Sequence, residues 1–378
     1  MQKFSINADI DDRSVAEARK YIGVPMRIQQ FNHEATIDTI RHYCNGIGDD
    51  NPLYTDPDYA EKSAYGSLIA PPTFFYSVFS AGITPGFEGV QAFFGSGRFD
   101  IKRLPKRGEA IKAEARLKDI VEKAGKRAKR MAIQIGEVEY RTADGELLAT
   151  YISNSLRVPR ADREGGLRYE PRETRRYTED ELAAIEAEVI AETRRGAETR
   201  YFEDVSVAEQ LPTRVKGPLN MASYMAYYAG NLGGIGYTST ELQWKLRHAA
   251  RHNPGSIPNN RSLDWLIEET WPGVAHTNDQ IARSVGMPGA YDNGWNRVGW
   301  MGHLVTDWMG DDGHLAMIEV RAVAPNIMGD TLWCRGTVVN KRVEGGRHIV
   351  SIDLSAENQD KQLSCTGKAE VVLPSRPV

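Results

Sequence analysis

The sequence has few cysteines. Among its 378 residues there are three, Cys44, Cys334 and Cys365, which are widely spaced and include no CxxC pair. An odd number of isolated cysteines speaks against a disulfide framework, and the lack of paired cysteines speaks against a structural zinc site. We therefore expect a protein of a reducing compartment without a structural metal.

Long apolar stretches are also missing. Nowhere do eighteen apolar residues run together, and the first residues, MQKFSINADIDDRS, lack the basic start and apolar run of a signal peptide. We expect a soluble, cytoplasmic protein with no membrane partner.

Neither sign of charge dominates the composition. The chain has 47 basic and 51 acidic residues, a formal net charge of −4, so no broad basic surface for nucleic acid is indicated. The length, in contrast, exceeds a typical single core and suits two domains of ordinary size.

The first half contains a clear change of period. Residues 36–44 vary with helical period, and the segment TFFYSVFSAG at 73–82 is apolar on nearly every face, which is typical of a buried helix. From residue 111 onward apolar and charged residues alternate, and Asp144-Gly145 indicates a hairpin. Helices followed by an antiparallel meander predict an α+β fold.

The second half repeats this plan. Residues 294–308, GWNRVGWMGHLVTDW, predict a second buried helix, in which Gly299 and Gly302 permit close contacts, and alternating strands follow. We expect two modules, residues 1–160 and 201–378, joined by a charged helical linker at 161–200. Two such modules would pair like a homodimer fused into one chain.

The register of the repeat supports a common plan. Gly108 recurs as Gly329 after 221 residues, whereas Pro159 recurs as Pro374 after 215. This decrease in the offset between the two halves predicts that the hairpin around residues 122–130 is longer than its counterpart in the second half.

The turn that begins at Gly48 carries a family resemblance. Gly48, Asp49, Asn51 and Pro52 match the G-D-x-N-P-x-H signature of the MaoC-like dehydratases, which include the R-specific (type 2) enoyl-CoA hydratases, and Ala60 has the expected spacing. The resemblance implies a tandem double hot-dog fold, each module a buried helix wrapped by an antiparallel sheet. It also implies water addition to a 2-enoyl thioester.

In that family an Asp and a His hold the attacking water, and a backbone N–H at the start of the buried helix polarises the thioester carbonyl. The first half keeps Asp49 and also Asn51, which the resemblance marks as substrate-binding. Tyr54, however, stands at the position of the catalytic His. Pro72 stands where the helix glycine is expected, and proline has no N–H.

The second half is incomplete in the complementary way. His276 and Gly294 occupy the expected histidine and glycine positions, and Ala282 follows His276 by six residues, as Ala60 follows Tyr54. The position of the family's Asp, however, is Trp271.

Three arrangements of a site follow. In the first, Asp49 acts with His276 and Gly294 across the two modules. In the second, Asp49 acts with the Tyr54 hydroxyl inside the first half. In the third, which the presence of Gly294 favours, the site lies in the second half and another carboxylate serves His276. The candidates for that carboxylate are Asp279, Asp292 and Glu269.

Other polar residues have simpler interpretations. Asp49 is also expected to cap the helix after its turn. His303 and Asp307, on the second buried helix, are expected to be core residues. His248 and His252 lie four apart with no third ligand, so we expect no metal site there.

The function expected from the resemblance is a hydro-lyase of fatty acid metabolism, interconverting 2-enoyl-CoA and 3-hydroxyacyl-CoA thioesters. It needs no cofactor, since coenzyme A is part of the substrate. One alternative is a non-catalytic protein that binds acyl thioesters or supports a partner subunit, because each half has lost a catalytic group. A thioesterase is a third possibility, and a homo-oligomer built from the double hot-dog unit is possible.

Overall fold

The structure is a computed structural model, which describes residues 9–79, 82–87, 90–123, 130–159, 169–231, 239–253, 255 and 272–377. Its strands are β1 Gln91–Ile101, β2 Ile111–Lys123, β3 Met131–Thr142, β4 Leu147–Val158, β5 Arg214–Lys216, β6 His314–Ala322, β7 Leu332–Glu344, β8 Arg347–Asn358 and β9 Leu363–Leu373. Its α-helices are α1 Asp12–Arg19, α2 Ile37–Ile47, α3 Pro52–Thr55, α4 Pro57–Glu61, α5 Phe75–Val78, α6 Glu179–Ile190, α7 Met221–Asn231, α8 Thr240–His252, α9 Asp279–Ser284 and α10 Gly294–Met309.

The nine strands of the described residues form one antiparallel sheet in the order β2-β3-β4-β1-β6-β9-β8-β7-β5. The modules join where β1 pairs with β6, from Ser96 opposite Arg321 to Asp100 opposite Met317. Each module thus supplies one half of a continuous sheet, as in a hot-dog dimer. The predicted α+β, tandem double hot-dog fold is confirmed.

The two halves follow the predicted register closely. A bulge lies between Leu117 and Asp119 in β2, and another lies 221 positions later, between Val338 and Asn340 in β7. The β7–β8 turn is only Gly345 and Gly346, whereas residues 124–130 separate β2 from β3. The longer first hairpin was predicted from the decrease in the offset and is confirmed.

The two modules differ most in their central helices. α10 is 16 residues long and is buried from Asn296 to Met309. The corresponding apolar segment of the first module is buried as predicted, but its helix, α5, is a single turn, because Phe79 adopts extended backbone with φ −151° and ψ 118°. The helix predicted within residues 73–82 is therefore shorter than that segment.

Aromatic side chains fill the first module around this short helix. The ring of Phe75 lies 4.9 Å from Tyr140, and Phe99 lies 4.8 Å from Tyr76 and 4.6 Å from Tyr151 between ring centroids. Rings this large occupy the volume that a longer helix would take.

Small residues bring the modules together. A Cβ on Gly46 of α2 would lie 2.8 Å from Tyr227 Cα of α7, so only glycine permits this contact. On α10, Gly299 faces Ile47 and Gly302 faces Thr73, which agrees with the predicted close contacts. The central helix of the second module thus packs on the first.

The helix predicted in the linker is α6, which begins with a capping box of Thr178 and Glu181. It lies on the second module, where Trp333 Nε1 donates to Glu188 at 2.5 Å. The module boundaries at 160 and 200 stay predictions. No helix in the described ranges is long and apolar enough to cross a membrane.

Candidate active site

The turn of the first module is organised by its own side chains. α2 ends at Ile47 and is capped by Gly48, which takes the left-handed conformation (φ 67°), and Asp49 follows. Asp49 Oδ1 accepts the Asn51 N–H at 3.0 Å, and Asn51 Oδ1 accepts the Leu53 N–H at 3.0 Å. The residue that caps α3 is therefore Asn51, and the prediction that Asp49 caps this helix was wrong, because Asp49 accepts the N–H of the capping residue itself.

Asp49 meets a histidine of the other module, but that histidine is His303 of α10. His303 Nε2 lies 3.7 Å from Asp49 Oδ1 and 2.9 Å from Asp307 Oδ2. Neither His303 Nε2 nor Asp307 Oδ2 has a well-directed hydrogen bond, so we treat the contact between these two atoms as electrostatic. All three side chains are buried, as was predicted for His303 and Asp307.

Arginines compensate the charge of Asp307. Arg214 Nη2 lies 2.5 Å from Oδ2, and Arg194 Nε donates to Oδ1 at 2.6 Å. Burial raises the pKa of Asp307, but His303 and then the two arginines outweigh it and lower that pKa to about 2. Arg194 also pairs with Asp50, so this network ties the linker and both modules together.

Three ligand-type atoms, from Asp49, His303 and Asp307, lie within 4.8 Å of one another, as in a metal site. Lys216, however, donates to Ile47 O at 2.9 Å and Gly48 O at 3.2 Å and contacts His303 Nδ1 at 2.7 Å. Burial lowers the pKa of Lys216, yet these three acceptors match the three N–H groups of an ammonium.

The tautomer of His303 follows from these partners. If Nδ1 accepts a hydrogen bond from Lys216, the ring proton is on Nε2, and a protonated nitrogen does not ligate a metal. We assign the cluster as a buried polar contact between modules. The exposed pair His248 and His252 stacks at 4.1 Å, and neither joins a three-ligand cluster within the described ranges.

Tyr54 is also closed in by α10. Its ring is fully buried, and its hydroxyl faces Thr306 of α10. Burial and, next, the Asp49 charge raise the pKa of Tyr54 well above its ordinary value. A tyrosine in this setting is a poor proton donor to a substrate, although its predicted catalytic role stays a prediction.

The second-half turn is more open. His276 ends the 3₁₀ helix Pro272–His276, and Asn278 caps α9 by accepting the Ile281 N–H at 3.0 Å. Ala282 is fully buried, as is Ala60 in the first half. The six-residue spacing thus places an alanine at equivalent buried positions.

The His276 ring has a fixed orientation. Nδ1 lies 2.8 Å from Tyr291 O, which can only accept, so Nδ1 carries the proton and Nε2 has the lone pair. The ring is half-buried and packs on Tyr291 at 4.4 Å between centroids. Burial lowers the pKa of His276, although the hydrogen bond to Tyr291 opposes this, so the ring is neutral near pH 7.

Gly294 begins α10 directly after Asn293, whose Oδ1 accepts the Trp295 N–H at 3.1 Å. A Cβ on Gly294 would overlap the Phe94 ring, so the sequence requires glycine here. As the first helical residue, Gly294 has an N–H with no acceptor inside the helix. The helix dipole makes this end favourable for negative charge.

A small cleft opens to solvent beside Gly294, with a volume of about 70 Å³. Both modules and the linker line it: Phe93, Phe94, Leu156, Tyr169, Met287, Tyr291, Asp292, Gly294, Arg297 and residues 322–325. Its walls are mostly apolar, with Arg297 and Asp292 as the charged side chains.

The structure accounts for two of the three carboxylates that were candidates to serve His276. Asp292 is buried and accepts from Arg297 at 2.6 and 2.7 Å. Asp279 is exposed and accepts the Ala290 N–H at 2.7 Å. Glu269 lies outside the described residues, as does Trp271 at the position of the family's Asp.

The sequence did not identify Lys216 or Arg297 as site residues. Arg297 had a detectable signal, since it is a charged residue on a helix that is otherwise largely apolar and lies five residues after Asp292. Lys216 had none, because its partners come from distant segments.

Comparisons with known proteins identify related sequences. The profile of the FAS1-like dehydratase domain region matches residues 20–151. A UPF0336 protein of Thermobifida fusca is 30% identical over 155 residues, which is 39% of this chain and 97% of that protein. A UPF0336 protein of Streptomyces avermitilis is 41% identical over 46 residues, 12% of this chain and 31% of that protein.

Solved structures show the same fold over nearly the whole chain. A MaoC-like dehydratase superposes with a TM-score of 0.62 at 15% identity, covering 94% of this chain and 100% of its own. A conserved hypothetical protein of Mycobacterium tuberculosis, described as having a double hotdog fold, gives 0.51 at 11% identity over 92% of this chain and 96% of its own. The chain therefore belongs to the UPF0336 family, and it has the double hot-dog fold seen in a MaoC-like dehydratase.

Proposed function

We propose that this protein is a hydro-lyase that reversibly adds water to a 2-enoyl-CoA thioester, with its reaction centre in the second half. The observation that carries the proposal is the position of His276 and Gly294, which match the histidine and the helix glycine of the resemblance. His276 is bound to Tyr291, and three residues after Tyr291 Gly294 begins α10 at the edge of the cleft.

In the hydration direction His276 Nε2 takes a proton from water as the water oxygen bonds to C3 of the substrate. The electrons of the double bond move onto the thioester oxygen, where the Gly294 N–H and the helix dipole stabilise the charge. The enolate then collapses and C2 takes the proton from His276. One imidazole thus acts first as base and then as acid.

Two features of His276 support this assignment. Its lowered pKa keeps the ring unprotonated near neutral pH, as a base requires. Its hydrogen bond to Tyr291 selects the tautomer with a lone pair on Nε2.

The cleft also supports an acyl substrate. Its aromatic and aliphatic walls suit an apolar chain, and residues of both modules contribute to them. The test is to incubate the protein with crotonyl-CoA and with longer and aromatic enoyl-CoA esters, and to follow loss of the conjugated thioester absorbance. Hydration of at least one ester is expected, and silence across the panel would refute the proposal.

One observation favours a second candidate, a non-catalytic protein that binds acyl thioesters. Among the described residues, both candidate carboxylates near His276 already have partners. Stabilisation against heat by acyl-CoA, without turnover of any ester, would support that candidate. Release of free thiol would instead indicate a thioesterase.

A further inference from the structure

His276 and Gly294 depend on a shared turn. His276 ends a short 3₁₀ helix, and its ring is oriented by the carbonyl of Tyr291. Gly294 follows Tyr291 by three residues and starts α10. Any movement of residues 291–293 therefore shifts both groups relative to each other.

That turn is held by Asp292. Its two oxygens accept from Arg297 Nη2 at 2.6 Å and Nε at 2.7 Å, in a bidentate fork. Oδ2 also accepts from Asn326 Nδ2 at 2.8 Å, and the Asp292 N–H donates to Asn326 O at 2.9 Å. Both carboxylate oxygens are thus already occupied.

Arg297 extends this anchorage into the sheet. Its Nη1 donates to Ala324 O at 2.7 Å, after β6, and to Ser364 O at 2.8 Å, in β9. Arg297 lies one turn into α10 and is buried together with Asp292. The pair therefore joins the turn, the helix and two strand ends.

These contacts disfavour Asp292 as the general base. A carboxylate that receives a bidentate guanidinium and an amide has no free oxygen to take a proton from water. Burial would lower the pKa of Arg297, but Asp292 outweighs it and raises that pKa, so the guanidinium stays charged.

We propose that Arg297 and Asp292 are positioning residues, which fix His276 and the Gly294 N–H at the separation that the reaction requires. This inference rests on the proposed hydration. It assigns to the pair no contact with the reacting atoms, because the pair acts through the turn at 291–293.

The kinetic test compares Arg297→Met and Arg297→Lys with the wild type. We expect both to lower kcat, by about 10²-fold for a displacement near 1 Å, with KM much less affected. Lysine keeps the positive charge but cannot make the bidentate contact with Asp292. A low kcat in Arg297→Lys would therefore show that the geometry of the contact, and not the charge alone, is required. Unchanged kcat in Arg297→Met would overturn the proposal.

The matched control is Arg200→Met. Arg200 is also buried, pairs with Glu209 and stacks on Trp308 at 4.4 Å, and it is not a cleft residue. Both methionine variants should lose thermal stability, but only the Arg297 variant should lose kcat. Equal kcat losses in the two would mean that the effect is general destabilisation, which contradicts the proposal.

Asp292→Asn tests the competing role. If Asp292 is a positioning residue, the variant keeps a reduced rate and the limbs of its pH profile. If Asp292 is the base, the rate is abolished together with the acid limb of the profile, and the proposal fails.

A substrate-free measurement separates this inference from the proposed function. Nitrogen NMR of histidine-labelled protein reports the ring tautomer, and His276→Ala assigns the signal among the eight histidines. The wild type should show the Nδ1–H tautomer at His276, Arg297→Met should show tautomer exchange, and Arg200→Met should not. An unchanged His276 signal in Arg297→Met refutes the positioning pair, whereas inactivity of the wild type on every thioester refutes only the hydration.

Discussion

His276 donates its Nδ1 proton to the carbonyl oxygen of Tyr291 at 2.8 Å, and the tyrosine ring packs against the imidazole. The same turn leads into α10 at Gly294. One turn therefore connects the residue that orients the His276 ring to the first residue of α10.

His276→Ala should remove the base. We expect hydration to fall by about 10²- to 10⁴-fold, the range for loss of a general acid–base group. Tyr54→Phe should change the rate little, because its hydroxyl faces Thr306 inside the core. Steady-state rates on one enoyl-CoA ester check both, and the reverse ranking would place the site in the first half.

The rate should be insensitive to pH around neutrality. Since burial lowers the pKa of His276, its protonation should reduce kcat/KM only below the ordinary histidine range near pH 6.5. A pH profile of kcat/KM measures this. An acid limb that begins above pH 7 would contradict the assignment of His276.

Gly294→Ala should be destabilising because the new methyl overlaps the Phe94 ring. We expect a loss of about 1–3 kcal/mol in unfolding free energy, typical of overpacking. Gly302→Ala on the same helix is the control and should cost less stability. Its methyl would lie 3.2 Å from Thr73 Cγ2, and alanine favours a helix. Urea unfolding of both variants and of Gly294→Ala with Phe94→Ala checks this. We expect Gly294→Ala to destabilise the Phe94→Ala variant less than it destabilises the wild type. If the losses of unfolding free energy in the two single variants simply add in the double variant, the contact between Gly294 and Phe94 is contradicted.

Asp307 should make stability depend on acid pH. Its folded pKa of about 2 lies below the ordinary 3.8, so its contribution is full above pH 4 and is lost as pH falls through 2. The contribution is about 2 kcal/mol. Urea unfolding between pH 2 and 5 should show a shallower pH dependence in Asp307→Asn than in the wild type. If the unfolding free energy of the two proteins changes equally with pH, the folded state does not favour the ionised form of Asp307, and the prediction is wrong.

Much of the fold could be predicted from the local pattern of apolar and polar residues. Period-two alternation predicted β2, β3, β4 and β8, and the recurrence of Gly108 at Gly329 gave the register that the matching bulges share. The length of α5 was not readable, because an all-apolar segment has no polar face to mark its end. Whether Phe79 continues a helix depends on the aromatic rings that surround it.

The candidate site was readable in part. Spacing identified His276 and Gly294, which lie on either side of Tyr291 in the structure. The partner of Asp49 was not readable, since His303 reaches it from α10 across the module interface, more than 250 positions away. A contact between residues so far apart in the chain cannot be predicted from the local pattern of a single sequence.

The most direct test of the central claim compares hydration by the wild type, His276→Ala and Asp49→Asn on the same enoyl-CoA ester. Asparagine retains an oxygen for the Asn51 N–H, so the first turn should persist. A reaction centre in the second half predicts that Asp49→Asn keeps most of its turnover while His276→Ala loses it. Full activity in His276→Ala, with loss in Asp49→Asn, would contradict the account.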